Sequence, residues 1–309
     1  MKILSISSPG GDRGPAVGYR NHLRALSEGG FRVEELTQKI WENPMLMKSF
    51  DVAWAYVRFH PAVYSKCLEI GLPVIGGPNI ALERADLGIT DDWERWYLTQ
   101  SNVSVNLNVA EYYTNRVSEF VTSKMKCRTL EYCYESEEIL ALQRAKSPVD
   151  VLIYEKDRVN DGKSSSRIDT LQRELDKAGM THRTVQYGSH TREEYIRECL
   201  GARVCAWLSI EDYCSLAQIE AHLAGCCVVG SPYNLTIPTV RECTVEGVQT
   251  IRGWVTWEDD SAVARGYADS ISRVLQSNDL PSLTRDIAKR RHSFEYYRTK
   301  SFEVMQEIL

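Results

Sequence analysis

Short apolar runs alternate along the chain with longer stretches whose apolar positions recur at helical spacing. Residues 2–7, KILSIS, read as a buried strand. A glycine-rich turn follows, then a helix over 18–28 with Leu23 and Leu26 on one face, ended by Gly29 and Gly30. Residues 31–36 are the next strand. This β-loop-α-β order builds a parallel sheet with helices on its faces. The grammar repeats, with strands at 51–57, 73–76, 101–107 and 128–132 and helices at 62–70, 93–100 and 111–122.

A second series starts after Ser147 and Pro148. Strands are expected at 151–154, 183–187, 204–208 and 226–229, and helices at 166–178, 191–200 and 215–224. Thr191 and Glu194 have the spacing of a capping box, in which each side chain bonds the other residue's backbone N–H. Gly225 suits the left-handed position that ends a helix. The chain is therefore expected to hold two α/β domains, 1–148 and 149–284, and a last helix at about 285–309. Ligands of such sheets sit beyond the carboxyl ends of the strands.

Composition narrows the class. The 309 residues are 43% hydrophobic and 26% charged, with a net charge of −5. That acidity argues against a protein that coats nucleic acid by bulk charge. No apolar run reaches the roughly 18 residues that span a bilayer. The first residues lack the apolar core of a secretory signal. Nine cysteines form no Cys-x-x-Cys pair and read as free thiols in a reducing cytoplasm. The histidines show no zinc spacing, and neither a P-loop nor a GxGxxG turn is present.

Candidate chemistry concentrates in residues 209–234, SIEDYCSLAQIEAHLAGCCVVGSPYN. Glu211 and Asp212 precede the helix expected from Ser215, and Glu220 lies within it, eight residues after Asp212. A helix start favours a phosphate through its unbonded N–H groups, and carboxylates accept hydrogen bonds from sugar hydroxyls. Two readings stand at this point. The acids hold a sugar nucleotide on either side of its diphosphate, or Asp212 is an N-terminal cap and Glu220 a solvated helix residue. The turn after the first strand offers Gly10, Gly11 and Arg13, where a phosphate can approach backbone and guanidinium. An ordinary turn is the other reading. His60 follows a strand, in position to face a ligand. Residues 289–292, KRRH, read as a solvated basic face at the start of the last helix or as a contact for an anionic acceptor, and Trp93 and Trp96 as core packing or as stacking surfaces for a sugar or base.

Residues 209–234 resemble the paired-acid segment of retaining glycosyltransferases of the GT-B fold, in the GT4-like group. Asp212 and Glu220 have the family's separation, and Ala221, Ala224, Gly225, Val228 and Val229 match its continuation. The first acid is Asp where the family usually has Glu, and Cys214-Ser215 stands where glycine is common. Glu211 takes the role if the loop slips by one residue. The resemblance implies two Rossmann-like domains facing a central cleft, the last helix crossing back onto the first. It implies transfer of a sugar from a nucleotide-sugar donor to a hydroxyl with retained configuration, and no metal or other cofactor. Arg158 and Lys163, five residues apart, would neutralise the diphosphate, a role for which Lys156 competes. Glu220 would hold the ribose, and Asp212 or Glu211 the transferred sugar. Tyr187 would border the base, while Tyr213, Cys214, Ser215 and Leu216 approach the donor at the helix start. His60 joins the three acids as a catalytic candidate. The acceptor stays open: a glycan, a protein, a small molecule or a hydroxylated DNA base. A nucleotide-sugar-binding protein without transfer activity is the alternative from another class.

Overall fold

Ile3 and Leu4 of the first strand are both fully buried, on opposite faces, and neighbouring strands repeat this doubled burial. Parallel sheets covered by helices on both sides require it. The computed structural model describes residues 1–6, 14–79, 92–101, 103–121, 124–146, 148–155, 164–208, 215–233, 235–237, 240–246, 248–251, 254–257 and 259–308. They form two units, Met1–Tyr134 with Arg291–Leu309, and Glu135–Arg290.

The first unit runs β1 (Lys2–Ser5), α1 (Gly14–Glu28), β2 (Arg32–Glu35), α2 (Gln38–Glu42), α3 (Pro44–Met47), β3 (Val52–Val57), α4 (Pro61–Glu69), β4 (Val74–Asn79), α5 (Asp92–Gln100), β5 (Val105–Asn108), α6 (Glu111–Ser118) and β6 (Lys126–Thr129). The six strands are all parallel, in the order β2-β1-β3-β4-β5-β6. One face packs Leu4, Ala53 and Val74 against Val63, Tyr64 and Cys67 of α4 and Tyr97 and Leu98 of α5. The other packs Ile3, Val52, Trp54 and Val105 against Ala25 and Leu26 of α1 and against the C-terminal helix. Each aliphatic side chain fully buried in this way contributes on the order of 1.5–3 kcal/mol.

The second unit runs α7 (Glu137–Leu140), β7 (Val149–Glu155), α8 (Ser164–Lys177), β8 (His182–Gln186), α9 (Arg192–Leu200), β9 (Ala202–Trp207), α10 (Leu216–Leu223) and β10 (Cys227–Val229). A 3-10 turn (Arg241–Cys243), the hairpin β11 (Val248–Ile251) and β12 (Trp254–Trp257), α11 (Asp260–Gln276) and α12 (Leu280–Arg291) follow. Its main sheet is parallel, in the order β10-β9-β7-β8. The capping box is formed: Thr191 Oγ1 accepts from the Glu194 N–H at 3.2 Å, and the Glu194 carboxylate accepts from the Thr191 N–H at 2.7 Å. Gly225 has φ +77°, the left-handed turn that releases α10 into β10.

The linker expected near 148 lies inside the second unit, which takes in the chain from Glu135. Arg144 ties this segment down, its guanidinium donating to the carbonyls of Ala202, Ala224 and Gly225. The chain returns to the first unit at Arg291. There α13 (Phe294–Gln306) packs on α1, with Tyr297 Oη 2.5 Å from His22 Nδ1. Arg128 donates to both carboxylate oxygens of Glu307, at 3.0 and 2.7 Å.

The basic run at 289–292 is not a solvated face throughout. It closes α12 rather than opening the last helix. Arg291 pairs with the buried Glu131, and His292 is buried with Nδ1 2.8 Å from the Tyr132 carbonyl. Trp93 and Trp96 do pack with Tyr64 and Tyr97, with Trp93 stacked on Tyr97 at 4.8 Å.

Candidate functional site

Strand order marks where each sheet offers a crevice. In the second unit β7 is followed on one side by β8 and on the other by β9, so the order reverses between β7 and β9. Loops leaving two such strands diverge to opposite faces and leave a gap at the carboxyl edge, where ligands of open α/β sheets sit. Segment 156–163 leaves β7 and segment 209–214 leaves β9. The first holds Lys156, Arg158 and Lys163, the second Glu211, Asp212, Tyr213 and Cys214. These seven candidates lie outside the described residues, but the strand ends from which they emerge are neighbours in the sheet.

The described part of that edge is built from buried groups. Glu155 closes β7 at 5% exposure, and its carbonyl accepts from the N–H of Tyr187 at 2.8 Å. Tyr187 follows β8 and is 44% exposed, available to a planar ligand. Trp207 closes β9, stacked on Tyr154 at 4.5 Å between ring centroids. Its indole N–H is buried without a hydrogen-bond partner among the described residues. Ser215 is the N-cap of α10, its Oγ accepting from the Ala217 N–H at 3.3 Å, and Leu216 is the first residue of the helix.

Glu220 overturns the expectation of a solvated helix residue. It is only 6% exposed, because α10 is buried on every side from Gln218 to Leu223. The charge is held by Arg192 at the start of α9, with Nε 2.7 Å from Glu220 Oε1. Arg192 is 39% exposed and also lies 3.8 Å from Glu138 of α7. The same helix is pinned by two further contacts. Gln218 Oε1 accepts from the N–H and hydroxyl of Thr236, at 2.7 and 2.9 Å. Tyr195 donates its hydroxyl to the Ala217 carbonyl at 2.9 Å, and burial pushes that phenol well above its ordinary pKa, so it stays a neutral donor.

The first unit reverses strand order between β1 and β3. Segment 7–13, with Gly10, Gly11 and Arg13, leaves β1 and lies outside the described residues. His60 follows β3 at the adjacent strand end and is exposed. It caps α4, its Nδ1 accepting from the Ala62 N–H at 3.2 Å, which leaves the ring proton on Nε2 in the neutral form. Beneath this edge Ser5 Oγ and Tyr19 Oη lie 2.5 Å apart.

Of the proposed site residues, the structure thus brings Tyr187, Ser215, Leu216 and Glu220 to one unit and places His60 on the other. No local sequence pattern marks Arg192, Gln218 or Thr236 as contacts that hold α10. Only the buried acid signalled Arg192, since a buried carboxylate calls for a cation, and a sequence does not say which residue supplies it. Among the described residues no group of three or more His, Cys, Asp or Glu side chains is placed to hold a metal ion. Nor is any helix among them long and apolar enough to cross a membrane.

The chain matches no known family description and no curated protein by sequence. Solved structures resemble it over its whole length. HepE (Alr3699) of Anabaena, in complex with UDP and glucose, aligns over 100% of both chains at 11% identity and TM-score 0.60. Sucrose-phosphate synthase of Thermosynechococcus elongatus aligns over 99% of this chain and 98% of its own, at 12% identity and TM-score 0.63. The lipopolysaccharide outer core galactosyltransferase WaaB aligns over 100% of both at 10% identity and TM-score 0.64. At these identities the likeness is one of fold: the chain has the GT-B fold of these glycosyltransferases.

Proposed function

We propose that the protein is a glycosyltransferase that moves a sugar from a UDP-sugar to a hydroxyl acceptor with retention of configuration, in the manner of the GT4-like group. The observation that carries this reading is the switch point of the second unit. There a segment with two lysines and an arginine and a segment with two acids follow adjacent strands, and the second runs in sequence into the capped start of α10. HepE, similar in fold over the whole chain, holds UDP and glucose.

In this reading Arg158 and Lys163 stabilise the charge that develops on the leaving diphosphate, together with the N–H groups at the start of α10. Positive charge from the protein makes a metal ion unnecessary. Asp212 or Glu211 orients the sugar. Glu220 receives the ribose hydroxyls while Arg192 fixes its carboxylate, whose two oxygens offer about four acceptor sites. The sugar's bond to the diphosphate oxygen breaks, the acceptor oxygen bonds to the same face, and the leaving phosphate takes the acceptor's proton.

A melting-temperature screen against UDP, UDP-sugars and the GDP, ADP and dTDP sugars tests the donor. Binding to the folded state alone raises the midpoint as ligand exceeds its Kd. A shift with the uridine ligands that disappears in Arg158→Ala is expected, followed by release of UDP and sugar transfer undiminished by EDTA. No shift with any nucleotide overturns the reading. Binding without turnover leaves a nucleotide-sugar-binding protein.

A further inference from the structure

Two thiols of the second unit touch. Cys227 of β10 and Cys243 of the 3-10 turn have their sulfurs 3.3 Å apart, both fully buried, and each is a free cysteine. The backbone around them is held on both sides. Cys227 is paired in register with Val204 of β9. The Gly230 N–H donates to the Cys243 carbonyl at 3.0 Å, and the Val245 N–H donates to the Gly230 carbonyl at 2.9 Å. A disulfide needs the sulfurs at about 2.05 Å, so they must close by little more than an ångström, within reach of side-chain rotation and a small backbone shift.

We propose that Cys227 and Cys243 are an oxidation site that forms an intramolecular disulfide with small peroxides. This goes beyond the glycosyltransferase reading and does not depend on it. Six of the seven other thiols set the contrast, the seventh, Cys214, lying outside the described residues. Burial pushes Cys67, Cys127, Cys133, Cys199, Cys205 and Cys226 above the ordinary thiol pKa, which suppresses the reactive thiolate. Cys227 is drawn the other way, by the hydrogen bond it shares with Cys243. With Cys227 as the attacking sulfur (exchanged roles give the same disulfide), its thiolate displaces hydroxide from hydrogen peroxide and becomes a sulfenic acid, and the hydroxide takes up a proton. The Cys243 sulfur then attacks that sulfenic sulfur, and a second water leaves. Two thiols and one peroxide thus give one disulfide and two waters. A peroxide is small enough to reach a buried pair through the local fluctuations of a folded protein, which exclude a bulky disulfide reagent.

The bond would tie β10 to the turn that closes the segment from Ser231 to Val240, whose Thr236 holds Gln218 two residues before Glu220. Oxidation would therefore stiffen the support of α10.

The experiment uses the full chain, reduced, treated with hydrogen peroxide, denatured and alkylated. Trypsin cleaves after Arg203, Arg241 and Arg252, so the two cysteines fall in peptides 204–241 and 242–252. The expected result is loss of two alkylatable thiols from nine, a reducible cross-link between those peptides, and fragment ions that put the bond on Cys227. In Cys243→Ser, which keeps a hydrogen-bonding group beside Cys227, the cross-link should vanish and a sulfenic acid on Cys227 should be trapped by dimedone added with the denaturant. Cys226→Ser, at the neighbouring thiol, should leave the cross-link intact, which guards against a variant that only perturbs folding. Nine free thiols after treatment, or a bond through Cys205, Cys214 or Cys226, overturns the proposal.

Discussion

Arg192 Nε stands 2.7 Å from Glu220 Oε1, joining the first turn of α9 to the middle of a buried α10. The partners differ in what each keeps when the other is lost. The Arg192 side chain is 39% exposed and can return to water, whereas that of Glu220 is 8% exposed and cannot. Arg192→Ala is therefore expected to cost about 3 kcal/mol, the scale for a buried charge without its partner. Glu220→Ala should cost about 1 kcal/mol. Urea unfolding of both variants measures the order, and equal losses would sink the idea that Glu220 is held there by Arg192. Glu220→Ala should also abolish the melting shift with UDP while leaving most of the stability.

Two buried histidines make stability depend on pH. Burial holds His22 down to about 3 and His292 to about 4, against an unfolded value near 6.5. The sign follows from proton uptake. Below about pH 6.5 the unfolded chain binds protons that the folded chain refuses, so stability falls as pH falls. The loss continues to about 4 for His292 and about 3 for His22, at up to about 1.4 kcal/mol per pH unit for each histidine. Denaturant midpoints between pH 6.5 and 5 should show this slope in the natural chain and a flatter one in His292→Gln. An unchanged slope in that variant removes His292 from the account.

Glu131 depends on Arg291 in the same manner. Burial raises the Glu131 carboxyl above its usual range even though the guanidinium works against that shift. Arg291→Met should destabilise the first unit by about 3 kcal/mol. Adding Glu131→Gln should recover part of this loss, because the buried charge is then gone. A double-mutant cycle with no coupling would falsify the pairing as an energetic link.

Gly77 admits no side chain. Its φ is +99°, and a Cβ there would stand 2.2 Å from the Leu107 carbonyl oxygen of the adjacent strand. Gly77→Ala is expected to cost about 4 kcal/mol or more, since β4 and β5 would have to separate. Melting near that of the natural chain would show that the two strands yield there.

What the sequence determined by itself is what depends on neighbours within a turn or two. The βα alternation, the Thr191–Glu194 box, the left-handed Gly225 and the helix from Ser215 all follow from local spacing, and each is present. A few strand bounds slid by some residues. The strand expected at 128–132 lies at Lys126–Thr129, because register with β5 outweighs the apolar count. Tertiary structure decided which strand ends became neighbours. Pairing of β7 with β9, and of β1 with β3, joins segments far apart in the chain, and no local pattern records it. It also decided the state of single groups. His22 became neutral and buried between Trp54, Tyr56 and Tyr297, Glu220 became a buried ion-pair partner, and two cysteines were brought into contact. Burial and charge pairing are sums over everything that packs around a side chain, and that sum exists only once the chain has folded.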